Sequence, residues 1–363
     1  MLPKAFLLAA AMLLTSGSCF SFSVTFVNPG RSDEVFWVTS SQGMQMAARS
    51  LDIGLEIRYA ERSPERMVEI VKEVAGGKKP DYLILPNEYA LGGEILKITD
   101  AAGIKTFFAW STVPQTEFGA PRERYRNWIG SLVPDVEEAG YLTARALITQ
   151  GLAQRRFGRD GKLHMLAVAG DAATPTSVLR TQGMKRAVKR EPAVVLDQEV
   201  YAEFNQQKAR ELAAGAFERH SDVRLVWAGS DFMAFGAMEA LEKRGGYPGK
   251  DVLFSGINTS TQAMQALQNG RLTALAGGHF MAGAWALVMI DDYHRGKDFA
   301  SEGLVLTKPM FVLFTPELAK RYVAQFEGGL KAADFRRFSK ARNTTVTRYD
   351  FRLDRLLMAT PAK

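Results

Sequence analysis

Four histidines, His164, His220, His279 and His294, and one cysteine, Cys19, are the side chains best suited to metal binding or nucleophilic chemistry. The histidines are scattered, with none at the short spacings that bring two imidazoles onto one metal. His164 falls in an apolar, strand-like stretch, where a packed and hydrogen-bonded ring is expected. Adjacent carboxylates occur at Glu137-Glu138 and at Asp291-Asp292, both on segments of helical periodicity. Neighbours on a helix point about 100° apart, so neither pair converges on one substrate, and a solvated helix face is expected for both. No Gly-Lys-Ser/Thr phosphate loop and no GxSxG elbow occurs, and Asn28-Pro29-Gly30 follows the first strand where a dinucleotide site would place GxGxxG. The chain is therefore read as a non-enzyme that requires no metal and no cofactor.

The elements that would position a binding site are easier to read. A first strand at 23–28 precedes apolar residues at helical spacing over 35–51, through Phe36, Met44, Ala47 and Leu51. A strand at 55–59, a helix at 64–75 opened by Ser63, and a buried strand at 81–86 closed by Pro86 follow. Next come a helix at 94–102, ended by Gly103, and a strand at 105–110. After a charged loop at 113–127 the pattern restarts. Helices at 139–150, 177–189, 206–217, 232–243 and 261–268 alternate with strands at 163–168, 194–201, 223–228, 252–255 and 272–276. Strands separated by helices imply parallel sheets covered on both faces. The predicted fold is α/β, with two doubly wound parallel-sheet lobes. In such sheets ligands sit beyond the carboxyl ends of the strands, so two facing lobes make a cleft lined by loops from both.

The start of the chain sets the compartment. Lys4, an apolar run over 5–14 and the small stretch Thr15-Ser16-Gly17-Ser18 form the pattern of a secretory signal, too short for a membrane span. The signal peptide is placed at 1–23, with cleavage between Ser18 and Val24, and a periplasmic location follows. Gly17-Ser18 precede Cys19 as at a lipidation site, but Ser16 stands where a leucine is wanted. Removal of Cys19 with the signal is expected, which leaves no thiol chemistry. Roughly 340 remaining residues exceed one ordinary core, and 47% hydrophobic residues can fill two. The net charge of +7 is modest, part of it in a tail carrying Arg336, Arg337, Lys340, Arg342, Arg348, Arg352 and Arg355. A solvated basic face, or one that meets an acidic partner, is expected there.

The order of elements over about 23–298 resembles the type I periplasmic binding proteins, the family of the ribose and galactose receptors. Three stretches carry the likeness: Glu34-Val35-Phe36-Trp37 after strand one, residues 79–86, and residues 223–237 with Gly229-Ser230-Asp231 at the strand-to-helix turn. Residues 254–258 and 269–274 follow in the family's order. The resemblance implies three hinge crossovers, near Ile129, Gly278 and Thr307. It divides the chain into an N-terminal lobe of 24–130 plus 280–306 and a C-terminal lobe of 131–279 plus 307–363. The basic extension goes with the second lobe, where 344–353 alternates like one more strand. Repressors that share the fold begin with a helix-turn-helix. Here an export signal stands in that place, so no nucleic-acid partner is expected.

Carried over position by position, the likeness implies a ligand site of Glu34, Phe36, Trp37, Trp110, Ser111, Arg180, Phe204, Ser230, Asp231, Asn258 and His279. Phe36 and Trp37 match the aromatic pair that stacks on a sugar, whose C–H faces pack on rings. Trp110 and Ser111 stand where ribose receptors carry an Asp-Arg pair, and Asn258 replaces an aspartate. Asp231 is read either as a helix cap or as a ligand contact. Gly278 stands where a long polar side chain is expected, so that either His279 substitutes for it or the contact is lost. The implied pocket is aromatic and lightly charged. Residues 32–38, the strand at Asp81 and the basic tail are also similar to the periplasmic autoinducer-2 receptors, with Trp37, Arg180, Ser230 and Asp231 matching and Trp110, Ile257 and Gly278 departing. Two readings follow, both for a monomer: a receptor that hands a carbohydrate-like molecule to the permease of an ABC transporter, or one that reports to a membrane sensor kinase or cyclase. An exported hydrolase finds no support.

Overall fold

The computed structural model describes residues 20–326 and 333–359. The expected signal peptide, Cys19 included, lies outside them except for its last four residues. Phe22 and Ser23, placed at the edge of that signal, belong to the first strand, where Ser23 donates to Asp81 through its backbone and its hydroxyl.

The first lobe is built from β1 (Phe22–Asn28), α1 (Val35–Leu51), β2 (Ile53–Tyr59), α2 (Pro64–Gly76), β3 (Tyr82–Leu85), α3 (Gly92–Ala102), β4 (Lys105–Ala109), the short α4 (Gln115–Phe118) and β5 (Trp128–Pro134). The second follows with α5 (Val136–Ala153), β6 (Leu163–Ala169), α6 (Pro175–Lys189), β7 (Val194–Tyr201), α7 (Gln206–Arg219), β8 (Val223–Ala228), α8 (Asp231–Lys243), β9 (Leu253–Ile257), α9 (Thr261–Gln268) and β10 (Ala274–Gly277). The chain then returns through α10 (Ala282–His294) and β11 (Val305–Lys308) to the first lobe. It crosses again to β12 (Val312–Leu313) and α11 (Pro316–Phe326), and ends in α12 (Leu353–Ala359).

The two six-stranded sheets have the orders β11-β5-β4-β3-β1-β2 and β12-β10-β9-β8-β6-β7. All pairings are parallel except β12 on β10. Central strands such as β3 and β9 are buried at every position, as covered parallel sheets require. Crossovers lie at 134–136, 277–282 and 308–312. The first and third run side by side: Pro134 pairs with Lys308, and the Asp135 N–H donates to the Lys308 carbonyl at 2.9 Å. Asp135 also caps α5 through its carboxylate.

Two expectations fail at the carboxyl end. The stretch at 344–353 forms no strand, and the extension beyond α11 makes its polar contacts with the first lobe. Phe335, Phe338 and Phe351 enclose Trp285 of α10, with ring centroids 4.9–5.4 Å apart. The alternation in sequence comes from Tyr349, Phe351 and Leu353 packing inward without a ladder partner. Asp291 and Asp292, expected on a solvated face, are fully buried beneath this segment. Arg342 binds both oxygens of Asp291 at 2.8 and 3.1 Å. Glu137 and Glu138 do remain partly exposed, paired with Arg186.

His164 is held as a satisfied ring, with Nδ1 2.8 Å from Asp197 and Nε2 3.0 Å from Asp160. Burial works against its charge, but the hydrogen bonds to both carboxylates outweigh that and raise its pKa above the usual value. Its contribution should be complete below the unfolded-state pKa, about 6.5, and vanish as pH rises through the higher folded value. His164→Gln should therefore show a smaller stability gap to the wild type at pH 8 than at pH 6. Urea midpoints at the two pH values measure this, and an unchanged gap would refute it.

Candidate functional site

The first-lobe wall begins at the turn after β1. The buried Asn28 amide accepts from Gly30 N–H at 2.9 Å and donates to the Trp37 carbonyl and the Ser41 hydroxyl. A Cβ at Gly30 would lie 2.1 Å from the Trp37 ring, so only glycine lets the indole settle on this turn. Trp37 is consequently 4% exposed and belongs to the lobe's core. Phe36 is the member of the pair that stays half-buried, edge-on to Trp37 at 5.1 Å and 4.9 Å from the His279 ring. Glu34 precedes α1 and is gripped by the Arg62 guanidinium through two hydrogen bonds, one at 2.8 Å. It fixes the lip of the cleft.

Trp110 follows β4 with φ +69°, a left-handed backbone that non-glycine residues seldom adopt. Its ring stacks on Phe26 at 5.3 Å and meets Trp37 edge-on at 5.3 Å. The Trp110 Nε1 and the neighbouring Ser111 Oγ are buried without a hydrogen-bond partner.

Arg180 carries the second-lobe wall. It lies on α6, whose backbone approaches α5 so closely that a Cβ on Gly140 would sit 1.9 Å from the Arg180 carbonyl. That contact fixes the side chain's origin. The guanidinium is 4% exposed. It donates to the Gly229 carbonyl at 2.9 Å and lies 3.2 Å from His279 Nε2, while its Nε has no partner. Burial pulls its pKa down to about 10, against the attraction of Asp231, and it stays charged at neutral pH. Burial, reinforced by Arg180, holds His279 well below the usual imidazole pKa, so the ring is neutral. Because Arg180 can only donate, Nε2 must accept, and the proton sits on Nδ1, which is buried and unpartnered. The ring is sandwiched between Phe36 and Phe311, 4.6 Å away.

Ser230 and Asp231 are engaged by hydrogen bonds within the second lobe. Ser230 caps α8 through the Met233 N–H at 3.3 Å. Asp231 accepts from the Phe232 N–H (2.9 Å), the Asn258 amide (3.1 Å) and the Ser260 N–H (3.4 Å). Burial nevertheless raises its pKa against the bonds from Ser260 and Asn258. Asn258 therefore ties two strand ends together with φ +125°. Phe204 stands at the same end of the second sheet, 37% exposed, its ring against Gly170.

Phe36, Trp37, Trp110, His279 and Arg180 thus form one chain of contacts from first lobe through hinge to second. Phe204 and Asn258 lie at the same sheet ends without joining it. The sequence reading missed two residues. Phe311, in the third crossover, carries no periodic signal. Glu88, in the loop after β3, stands near Arg62 and Glu34. Burial pushes its carboxyl upward, against the nearby Arg62 charge.

The family model for the periplasmic binding protein domain matches residues 24–298. The chain belongs to the periplasmic binding protein family. Among curated members it resembles the ribose import binding protein RbsB of Escherichia coli, 23% identical over 239 residues, 66% of this chain and 73% of that one. The galactofuranose-binding protein YtfQ of the same organism is 24% identical over 43% of this chain and 49% of its own. Among solved structures, a periplasmic sugar-binding protein from Pseudomonas fluorescens superposes with a TM-score of 0.79 at 37% identity, covering 93% of this chain and 99% of that one. That share is too large to leave out the extension beyond Lys308. These family members are named as binding proteins.

Proposed function

We propose that the protein is a periplasmic solute receptor that closes around a sugar or sugar-like molecule and delivers it to the permease of an ABC transporter. One observation carries this reading. Buried polar atoms without partners among the described residues gather where the lobes meet, at Trp110 and Ser111 on one lobe, Arg180 on the other and His279 between them. Buried polar groups are normally hydrogen-bonded, so a ligand with several polar groups is the natural partner. Phe36 and Phe204 offer the aromatic faces on which sugar C–H groups pack. A ligand touching both walls stabilises only the closed arrangement and shifts the population toward it. One chain supplies both walls, which suits a monomer. The relatives named above as sugar-binding support the ligand class. Transport is preferred to kinase signalling because the extension that suggested a sensory role packs on the receptor's own body, β12 on the second sheet and the part beyond α11 on the first lobe, and the Pseudomonas fluorescens protein shares at least part of it.

A thermal-shift screen against monosaccharides, sugar acids, polyols and furanosyl compounds tests the proposal. A ligand at 100 times its Kd stabilises by about 2.7 kcal/mol. Phe36→Ala and Phe204→Ala should each weaken a hit about tenfold or more, at roughly 1.4 kcal/mol per factor of ten. Trp37→Ala is the poorer probe, since it would damage the core. A screen without any hit overturns the sugar reading.

A further inference from the structure

Building on the receptor reading, we infer that the ligand is a sugar acid, its carboxylate seated against Arg180 and His279. Arg180 is 4% exposed, and among the described residues no carboxylate lies within ion-pair distance of it. The nearest acidic group acting on it, Asp231, has its oxygens engaged by Phe232, Asn258 and Ser260. Burying a cation without a counter-charge is costly. A ligand anion arriving as the lobes close removes that cost.

The hydrogen-bond inventory points the same way. Of the unpartnered buried atoms among the described residues, the three on this chain of contacts, Trp110 Nε1, Arg180 Nε and His279 Nδ1, can only donate, and the adjacent Ser111 and Thr181 hydroxyls can do either. A hydroxyl placed on such a donor still has its own hydrogen to place. A carboxylate is acceptor-only, offers about four lone-pair sites, and matches the guanidinium edge in a bidentate way. A neutral sugar would accept from these donors but bring no negative charge to the guanidinium, which has only the attraction of Asp231.

Isothermal titration of the wild-type protein with matched pairs tests this: D-glucose with D-glucuronate, D-galactose with D-galacturonate, and D-ribose with D-ribonate. In the pair that binds, the acid should be at least tenfold tighter than the neutral sugar. D-glucuronamide and D-galacturonamide, which keep the shape and lose the charge, should fall to the level of the neutral sugar. Arg180→Gln should collapse the acid-to-neutral ratio toward one, and Arg180→Lys should restore part of it. The amide comparison keeps the test decisive if the Arg180 variants fold poorly. Neutral sugars binding as tightly as their acids would overturn this inference and leave the receptor reading standing. Binding by neither series would overturn the receptor reading, and the inference with it.

Discussion

Replacing Asp292 by alanine should cost about 3–5 kcal/mol of stability, the range for removing one partner of a buried charged network. Its carboxylate accepts from the Ser339 hydroxyl, the Lys340 and Ala341 N–H groups at 2.8 and 2.9 Å, and the Tyr349 hydroxyl at 2.9 Å. All four donors come from the carboxyl-terminal extension, and alanine would leave them unpaired inside the protein. Unpaired buried donors lose more than the bond itself, about 1–3 kcal/mol each where water does not enter. Asp292→Asn keeps one acceptor oxygen but turns an amide hydrogen toward donors, so its cost should be smaller and still evident. Denaturant unfolding measures both, and protease cleavage between 333 and 359 should appear in Asp292→Ala under native conditions. A loss below about 1 kcal/mol, the surface range, would mean that the extension is not locked through this residue.

That lock was not legible in the sequence, for a plain reason. Asp292 and its partners are 47 to 57 residues apart along the chain. Local periodicity knows only that two acids interrupt an apolar helix. The preceding run from Ala282 is buried on every face because α10 lies between the first sheet's helices and the returning tail. An all-round apolar helix of this kind is a core helix. The alternating strands and helices from β1 to β4 and from α5 to β10, by contrast, were readable to within a few residues, whereas β5, α4 and the elements after β10 were not given ranges. Covered parallel strands are continuously apolar, and caps such as Ser63 and Ser260 mark helix starts by their own hydrogen bonds.

The site was legible as a set of positions and less so as a set of roles. Adjacent aromatics at Phe36 and Trp37 look alike in sequence, and it is the room left by Gly30 that sends Trp37 into the core and leaves Phe36 at the cleft. Asp231 left two readings open, and the structure adds three donors that hold its carboxylate at the ends of two strands. Arg180 was placed by resemblance, but that its guanidinium has no ion pair is a fact of three-dimensional packing.

Gly278→Gln, which would restore the long polar side chain that the family resemblance leads one to expect, should instead destabilise the protein by roughly 3–5 kcal/mol. Gly278 has φ +128°, a region that side chains with a Cβ rarely adopt. Its Cβ would lie 2.4 Å from the Met310 carbonyl and 3.3 Å from Leu353. The second crossover, the third crossover and α12 therefore meet at this one residue, leaving no path for a side chain into the cleft. His279, one position on, is the polar side chain proposed in its stead, and its backbone lies outside the left-handed region. The variant should lose stability in urea and bind the screened ligand no better than wild type. Unchanged stability with tighter binding would show that the hinge backbone adapts at this point, and His279 would then lose its assignment as the substitute contact.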